Sequence, residues 1–544
     1  MAGVPHVFRA DAGLGEGALP LRTCGAVSGL RAETRRGGNK VAHVEAAASG
    51  REISANETKA HEKSRKRLIA IAVAAAVFLF FQFVCPVPEG LSRTAMSAVG
   101  ILACCIILWV SEAFPFIVTV VLIYLLLPIT DVLPFATTAL ADGTVVQSVF
   151  NQSSLMVPIY CLFIFAVTAA VMTTPIPYRV ANFVLKWSKG NSAKIVIGLM
   201  MATGIFSMFI ADLAASAIFV GISLSIVEAN GGTKKLSGLG KALVLGIPAA
   251  ALIGGIGTPL GNSSNMLCIG MLEAAMPVRV TFLGWCIVNI PLALAVTFLS
   301  SLFIVKVFKL EDVNPEAYAN VEGQLAGFER ITTREIKLLF WYVIAFGLMI
   351  ASTWIPEINS ILVALAFTVI AFVPGVNLLT KEEFYKNIPW EIIMMVIGIQ
   401  VLASGLMGTG VATWLVNSVF VGVEMWPVFL VVFAMCLITL VLHMFIPIGP
   451  PVISVVVPIM VAVVAAVNAS AGGVAINPAI IACIGGGLGV VSTFFPLDSI
   501  VLIGYDKGWI SMGEWLARGW APTLILFVLS VLWLPFACGF AFPV

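Results

Sequence analysis

The chain of 544 residues is 60% hydrophobic and 11% charged, with a formal net charge of +2 at pH 7. That composition excludes an ordinary soluble domain, and the near-zero charge excludes a basic face for nucleic acid. Ten cysteines form no C-x-x-C pair, so neither a disulfide framework nor a zinc site is indicated.

Residues 1–66 are rich in Gly, Ala, Arg and Glu and hold no long apolar run. They read as a disordered cytoplasmic extension, not as a secretory signal. Apolar runs then recur, about 20 residues being needed per membrane helix. The cluster Lys63, Arg65, Lys66 and Arg67 belongs on the cytoplasmic side. Spans 1 to 4 follow at about 68–85, 95–111, 115–130 and 153–185, the last ending at Lys186, Lys189 and Lys194. The next apolar stretch, about 195–228, is followed by Lys234, Lys235 and Lys241. A full span here puts one basic cluster outside, whereas a re-entrant hairpin keeps both inside. The stretch also holds Asp212, which is costly in a lipid-facing helix. A hairpin with Asp212 near its tip is therefore expected.

Span 5 (about 242–270) is broken near Thr258 to Asn265, and span 6 (about 281–305) returns to Lys306 and Lys309. A polar linker leads into a second half of the same plan, upside down. Spans 7, 8 and 9 fall at about 337–354, 359–374 and 390–421. The segment 426–467, interrupted by Pro447, Gly449, Pro450 and Pro451, lacks flanking Lys or Arg, which suits a hairpin entered from outside. Span 10 (about 476–504) is broken near Ser492 to Ser499, and span 11 covers about 519–540. The domains are thus 1–66, a first transmembrane half 67–310, a cytoplasmic linker 311–335 and an inverted repeat 336–544. The expected fold is an all-α polytopic membrane protein: two inverted repeats, about 11 transmembrane helices and two re-entrant hairpins, with broken helices at the binding site.

Two observations support the repeat. The polar breaks lie roughly 235 residues apart, and Val171-Met172-Thr173-Thr174-Pro175 through Asn182 matches Leu406-Met407-Gly408-Thr409-Gly410 through Asn417. Unwound backbone in hydrocarbon is tolerated only where it is buried in protein or lines a cavity. Paired breaks in two halves mark a transporter binding site.

Trp109-Val110-Ser111-Glu112-Ala113-Phe114-Pro115, with Thr119 and Leu127-Pro128, resembles the W-x-(S/T)-E-A-x-P…T…L-P signature of the divalent anion:sodium symporters. The breaks Gly257-Thr258-Pro259…Asn265 and Pro496-Leu497-Asp498-Ser499 resemble that family's broken helices. The likeness covers about residues 68–540. The family carries dicarboxylates, citrate or sulfate, and each hairpin tip bears Ser-Asn-Thr for substrate carboxylates and sodium. This chain departs there. The first tip reads Ala211-Asp212-Leu213 and the second Ile448-Gly449-Pro450. The resemblance implies one cation site joining Asp212 to Thr258 and Asn262, Ser263, Ser264 and Asn265. It implies a second joining Gly449 to Thr493, Asp498 and Ser499. Substrate is expected between the tips, at Ala211, Asp212, Asn265, Ile448, Gly449 and Ser499.

Each cation site keeps one carboxylate, which either helps coordinate Na⁺ or loads a proton. The plainer alternative is an Asp that only caps a helix start. His443 reads as a proton relay or as a residue bonded to a helix neighbour. Glu112 and Glu391 read as interfacial acids, and 151–154 as a helix cap. Trp285 and Trp515 read as interface belt and framework.

The expected function is a secondary active transporter of small organic anions, di- or tricarboxylate-like, coupled to Na⁺ and moving as an elevator. The alternatives are an H⁺-coupled carrier or a cation-independent exchanger of the same fold, or a non-transporting receptor or scaffold. No enzyme motif is present in a suitable context. No cofactor is expected beyond Na⁺ as coupling ion. The expected partners are a small anion, membrane lipid and a second copy of the chain as a homodimer, with no nucleic acid. The expected location is the plasma (inner) membrane, with the N-terminus in the cytoplasm.

Overall fold

The computed structural model describes residues 64–111, 113–139, 145–151, 156–314, 330–355, 357–446, 448–470 and 475–542. The readings placed on residues 1–63, Glu112, 152–154 and the middle of the 311–335 linker lie outside them. The chain divides into two compact units, Met1–Arg65 and Lys66–Val544, and the second carries the elements that build the site.

Helix α1 (Ser64–Val84) finishes in a π-turn over Phe80–Val84. Helices α2 (Arg93–Val110) and α3 (Phe116–Ile129) follow, then a two-residue β pairing of Thr138–Ala139 with Val145–Val146. Span 4 is not one run. It divides into α4 (Met156–Met172) and α5 (Ile176–Ser188), bent by 63°. Pro175 and Pro177 supply no N–H to continue the ladder. The hydroxyls of Thr173 and Thr174 turn back to the carbonyls of Ala170 (2.7 Å) and Val171 (2.6 Å) and satisfy the open helix end.

Helices α6 (Ser192–Ser207), α7 (Asp212–Ala229) and α8 (Gly238–Gly255) pack on one another and on α10 (Phe282–Val307). Helix α9 (Ser263–Ala275) lies between α8 and α10 in the chain. In the second half come α11 (Thr333–Ala351), α12 (Ser360–Ile370) and a short α13 (Lys381–Asn387). Span 9 again divides, into α14 (Trp390–Gly408) and α15 (Val411–Val419), with Gly410 between them at φ +75°. The two bends fall on the residues that align between the halves. Helices α16 (Val428–Phe445), α17 (Gly449–Ala469), α18 (Ala479–Gly487), α19 (Ser499–Tyr505), α20 (Met512–Arg518) and α21 (Trp520–Ala541) complete the order. Among the described residues nine helices are long and apolar enough to cross a membrane, or ten if the α4–α5 pair counts as one span.

Side-chain hydrogen bonds fix which helix ends share a face. Ser192, at the start of α6, bonds the carbonyl of Glu311, and Asn230, just past α7, bonds that of Asp312 (3.2 Å). Both ends of the α6–α7 segment therefore meet one short stretch of chain, so the segment goes in and comes back. The Glu311 carboxylate also accepts from Leu239 N (2.9 Å) and Ser237 Oγ (3.1 Å), closing the start of α8. The Glu311 carboxyl lies below the usual carboxylate range because these donors outweigh its burial. At the other end of α10, Asn477 reaches the carbonyl of Phe542, and Asn468, at the end of α17, bonds Ile476 in both directions (2.9 and 2.8 Å). Phe542 in turn packs on Gly284, in the first turn of α10. The base of α16–α17 thus sits at the start of α10, and the base of α6–α7 sits at its end. With 26 residues, α10 separates them by about 39 Å.

Lys189 and Lys235 flank the α6–α7 base and are both exposed. Single cysteines at these two positions, in a background with Cys24 and Cys85 replaced, are expected to react with a membrane-impermeant maleimide from the same side. Labelling from opposite sides contradicts the hairpin.

Candidate functional site

The first break runs from the end of α8 at Gly255 to the start of α9 at Ser263, and the unwound carbonyls all need donors. Trp285 Nε1 donates to Ile256 O (2.9 Å). Asn265 Nδ2 bridges Gly255 O (2.8 Å) and Thr258 O (2.9 Å). Asn262 caps α9 by accepting from Ser264 N (2.7 Å). The tip of the α6–α7 hairpin is sewn to this break. Thr258 Oγ1 donates to Met208 O, Asp212 N donates to Gly261 O (3.2 Å), and Asn262 Nδ2 donates to Asp212 Oδ2. The second Asp212 oxygen accepts from Leu213 N (2.8 Å).

The second break runs from Gly487 to Ser499 and is braced in the same manner by other residues. His443 Nδ1 bonds Leu488 O (2.8 Å), which makes that nitrogen the protonated one in a neutral ring. Trp515 Nε1 donates to Thr493 O (3.0 Å). Thr493 Oγ1 turns to Gly519 O and to Thr523 Oγ1 (2.9 Å). Asp498 caps α19 by accepting from Ile500 N (2.8 Å). Trp285 and Trp515 are both fully buried, which corrects the interface-belt reading. They are framework, each capping an unwound carbonyl of the break in its own half.

The two breaks and two tips enclose a cavity of about 210 Å³. Asp212, Ser263, Gly449 and Ser499 all line it, and each is the first residue of its helix, α7, α9, α17 and α19. Asn262, Ser264 and Asp498 add the other polar groups. Among the described residues no Lys, Arg or His lines it, and the ionisable side chains that do are the carboxylates of Asp212 and Asp498. The remaining wall is apolar. Phe116, the first residue of α3, and Ile392 and Met395, early in α14, close it on the side away from the tips.

Of the expected site residues, Ala211, Asp212, Asn262, Ser263, Ile448, Gly449, Asp498 and Ser499 line this cavity. Thr258, Asn265 and Thr493 do not. They are fully buried; Thr258 Oγ1, Asn265 Nδ2 and Thr493 Oγ1 donate to backbone carbonyls, while Asn265 Oδ1 has no hydrogen-bond partner among the described residues. Phe116, Phe165, Ile392 and Met395 were not singled out from the sequence, where nothing sets them apart from other apolar residues in apolar helices. Among the described residues no group of three His, Cys, Asp or Glu side chains gathers for a metal. Each half offers one carboxylate with a serine hydroxyl, and the first half adds the Asn262 amide, hard oxygen donors that suit an alkali cation and not a transition metal.

Broken helices facing one another around a central cavity are the plan of a membrane permease. The citrate transporter family model matches residues 106–486, and the chain belongs to that family. A sodium-dependent dicarboxylate transporter (SdcS) of Staphylococcus saprophyticus is 27% identical over 353 residues, 60% of this chain and 65% of that protein. The protein of the same name from Staphylococcus aureus is 26% identical over 329 residues, 56% of this chain and 61% of that one. The chain therefore spans less than two thirds of the length of these relatives. Among solved structures, the YdaH transporter of Alcanivorax borkumensis gives a TM-score of 0.48 at 13% identity, covering 79% of this chain and 99% of that one.

Proposed function

We propose that this chain is a secondary active transporter of di- or tricarboxylates in which Na⁺, held at Asp212 and Asp498, must bind before the anion. One observation carries the reading: the central cavity is walled by two carboxylates and four helix N-termini, with no basic side chain among the described residues. Empty of cations, the cavity repels an anion. Two charges 4 Å apart interact by about 4 kcal/mol at an effective dielectric of 20. With a cation on each carboxylate, the positive ends of α7, α9 and α17 dominate and favour an anion. Cation and substrate are thereby linked, which is the requirement for symport and argues against cation-independent exchange.

Na⁺ is favoured over H⁺ by the groups that share the cavity with the carboxylates: the hydroxyls of Ser263, Ser264 and Ser499 and the Asn262 amide are hard oxygen ligands that a metal cation uses and a proton does not need. The printed name of the Staphylococcus relatives, sodium-dependent, agrees. The cavity wall of Phe116, Ile392 and Met395 comes from the starts of α3 and α14, and Lys381 and Lys386 before α14 mark that end as cytoplasmic, which supports an inward-facing state. An elevator motion would carry both hairpins with α8–α10 and α18–α21 past a scaffold of α2–α4 and α11–α15.

Labelled succinate and citrate uptake into proteoliposomes, with Na⁺ and pH gradients imposed separately, tests this. An inward Na⁺ gradient is expected to drive accumulation, and a pH gradient alone is not. Counterflow indifferent to Na⁺ removes the proposal in favour of exchange.

A further inference from the structure

A second cavity, of about 360 Å³, touches the same break from its other side. Pro259 of the first break and Met266 of α9 line it, while Asn262, Ser263 and Ser264 line the central cavity. The unwound chain around Pro259–Asn262 thus lies between the two. The second cavity also takes in Thr281, at the start of α10, and Ser360, at the start of α12. It therefore opens at the face opposite the lysine-rich α6–α7 base. Its charged residues are Arg279 and Glu273, and among the described residues Arg279 is the one cationic side chain lining either cavity at this break.

The geometry points to this cavity as an outer capture site for the transported anion, with Arg279 as its binding residue and Glu273 as a residue that weakens the hold. It rests on the transport reading above. Arg279 makes one hydrogen bond, to Ser352 O at the end of α11 (3.0 Å), and a guanidinium carries five N–H donors, so donors remain to face a carboxylate. Glu273 is fixed by accepting from Val280 N (2.8 Å), which holds its negative charge in the same cavity. An anion arriving there meets one attractive and one repulsive charge, so it is held loosely enough to leave again. A central cavity with no cation of its own gives nothing to draw an anion in until Na⁺ is loaded. A site one break away that concentrates the anion at the outer mouth supplies that.

Two substitutions of opposite sign test it, with citrate and succinate as probes. KM is measured at each face, in whole cells for the outer side and inverted vesicles for the inner. Arg279→Gln is expected to raise the outer KM about tenfold, the size of a lost charge-assisted hydrogen bond, and to leave the inner KM unchanged. Glu273→Gln keeps an acceptor for Val280 N and is expected to lower the outer KM. Arg279→Lys is expected to recover part of the loss. If Arg279 only latches the α9–α10 loop to Ser352, Arg279→Gln alters maximal rates in both directions and leaves the outer KM alone, and the inference fails. Equal KM changes at both faces, or no change for Glu273→Gln, overturn it as well. If the unsubstituted protein moves neither probe, the transport reading fails and takes this site with it.

Discussion

Asp212→Asn and Asp498→Asn are each expected to raise the Na⁺ concentration for half-maximal uptake by at least about tenfold, given the several kcal/mol that a carboxylate contributes near a cation in a partly dehydrated site. The steepness of the Na⁺ activation curve should fall with it, since one of two cation sites is disabled. The measurement is initial-rate uptake against Na⁺ at fixed citrate or succinate. Asn keeps the shape of the side chain, and its remaining carbonyl oxygen can still accept from Asn262 at position 212 or from Ile500 at position 498. Asn also caps helices about as well as Asp. A purely structural role therefore predicts a normal Na⁺ curve for both variants, with near-normal stability for Asp498→Asn and lower stability for Asp212→Asn, whose Nδ2 faces the donor of Asn262 or Leu213. The double variant separates the ideas further: if both charges serve cations, the residual uptake loses its Na⁺ dependence altogether.

Gly254→Ala is expected to cost more than about 3 kcal/mol and to abolish transport. A Cβ at position 254 falls 2.1 Å from Gly204 O and 2.6 Å from Gly204 Cα, so α6 and α8 have to part. Backbone, not a flexible side-chain end, is in the way. The parting pulls Met208 from Thr258 and Asp212 from Asn262, because the tip of the first hairpin hangs from α6 and the break from α8. Thermal unfolding in detergent and uptake should both register the loss. Gly347→Ala is the matched control. Its Cβ meets nothing within 4 Å in the middle of α11, and Ala there should be neutral or stabilising by about 0.5–1 kcal/mol.

Much of the architecture could be read from the residues, for physical reasons that differ by element. The α6–α7 hairpin was legible because lysines flank it on both sides and charge placement allows one answer. The breaks were legible because Asn, Ser, Thr and Pro cluster where a spanning helix tolerates few of them. The α4–α5 and α14–α15 bends were not. Thr173-Thr174-Pro175 and Thr409-Gly410 lie inside long apolar stretches, and hydrophobicity alone reads through them. The division of labour inside the breaks was also hidden. Thr258, Asn265 and Thr493 carry the right groups for a cation site, but open helix ends need donors, and Thr258 serves Met208 O, Asn265 serves Gly255 O and Thr258 O, and Thr493 serves Gly519 O. Trp285 and Trp515 sit in amphipathic stretches that look interfacial. What buries them is a carbonyl 29 residues upstream for one and 22 for the other. His443 had two readings, and the bond to Leu488 places it as a brace on the second break.

The two hairpins are fastened unequally. The first is tied at its tip by three bonds to the break and at its base through Glu311 to the neck of α8. The second is held by one bond from its first arm, His443 Nδ1 to Leu488 O (2.8 Å), while among the described residues its tip meets the break by contact, with the Cβ position of Gly449 at 3.1 Å from Gly489 O, and Pro450 and Pro451 have no N–H to offer. A clamp with one riveted jaw and one resting jaw yields on a single side. Substrate leakage, inhibitor wedging and crosslinks that freeze turnover should therefore all concentrate along the seam between residues 448–451 and 488–490.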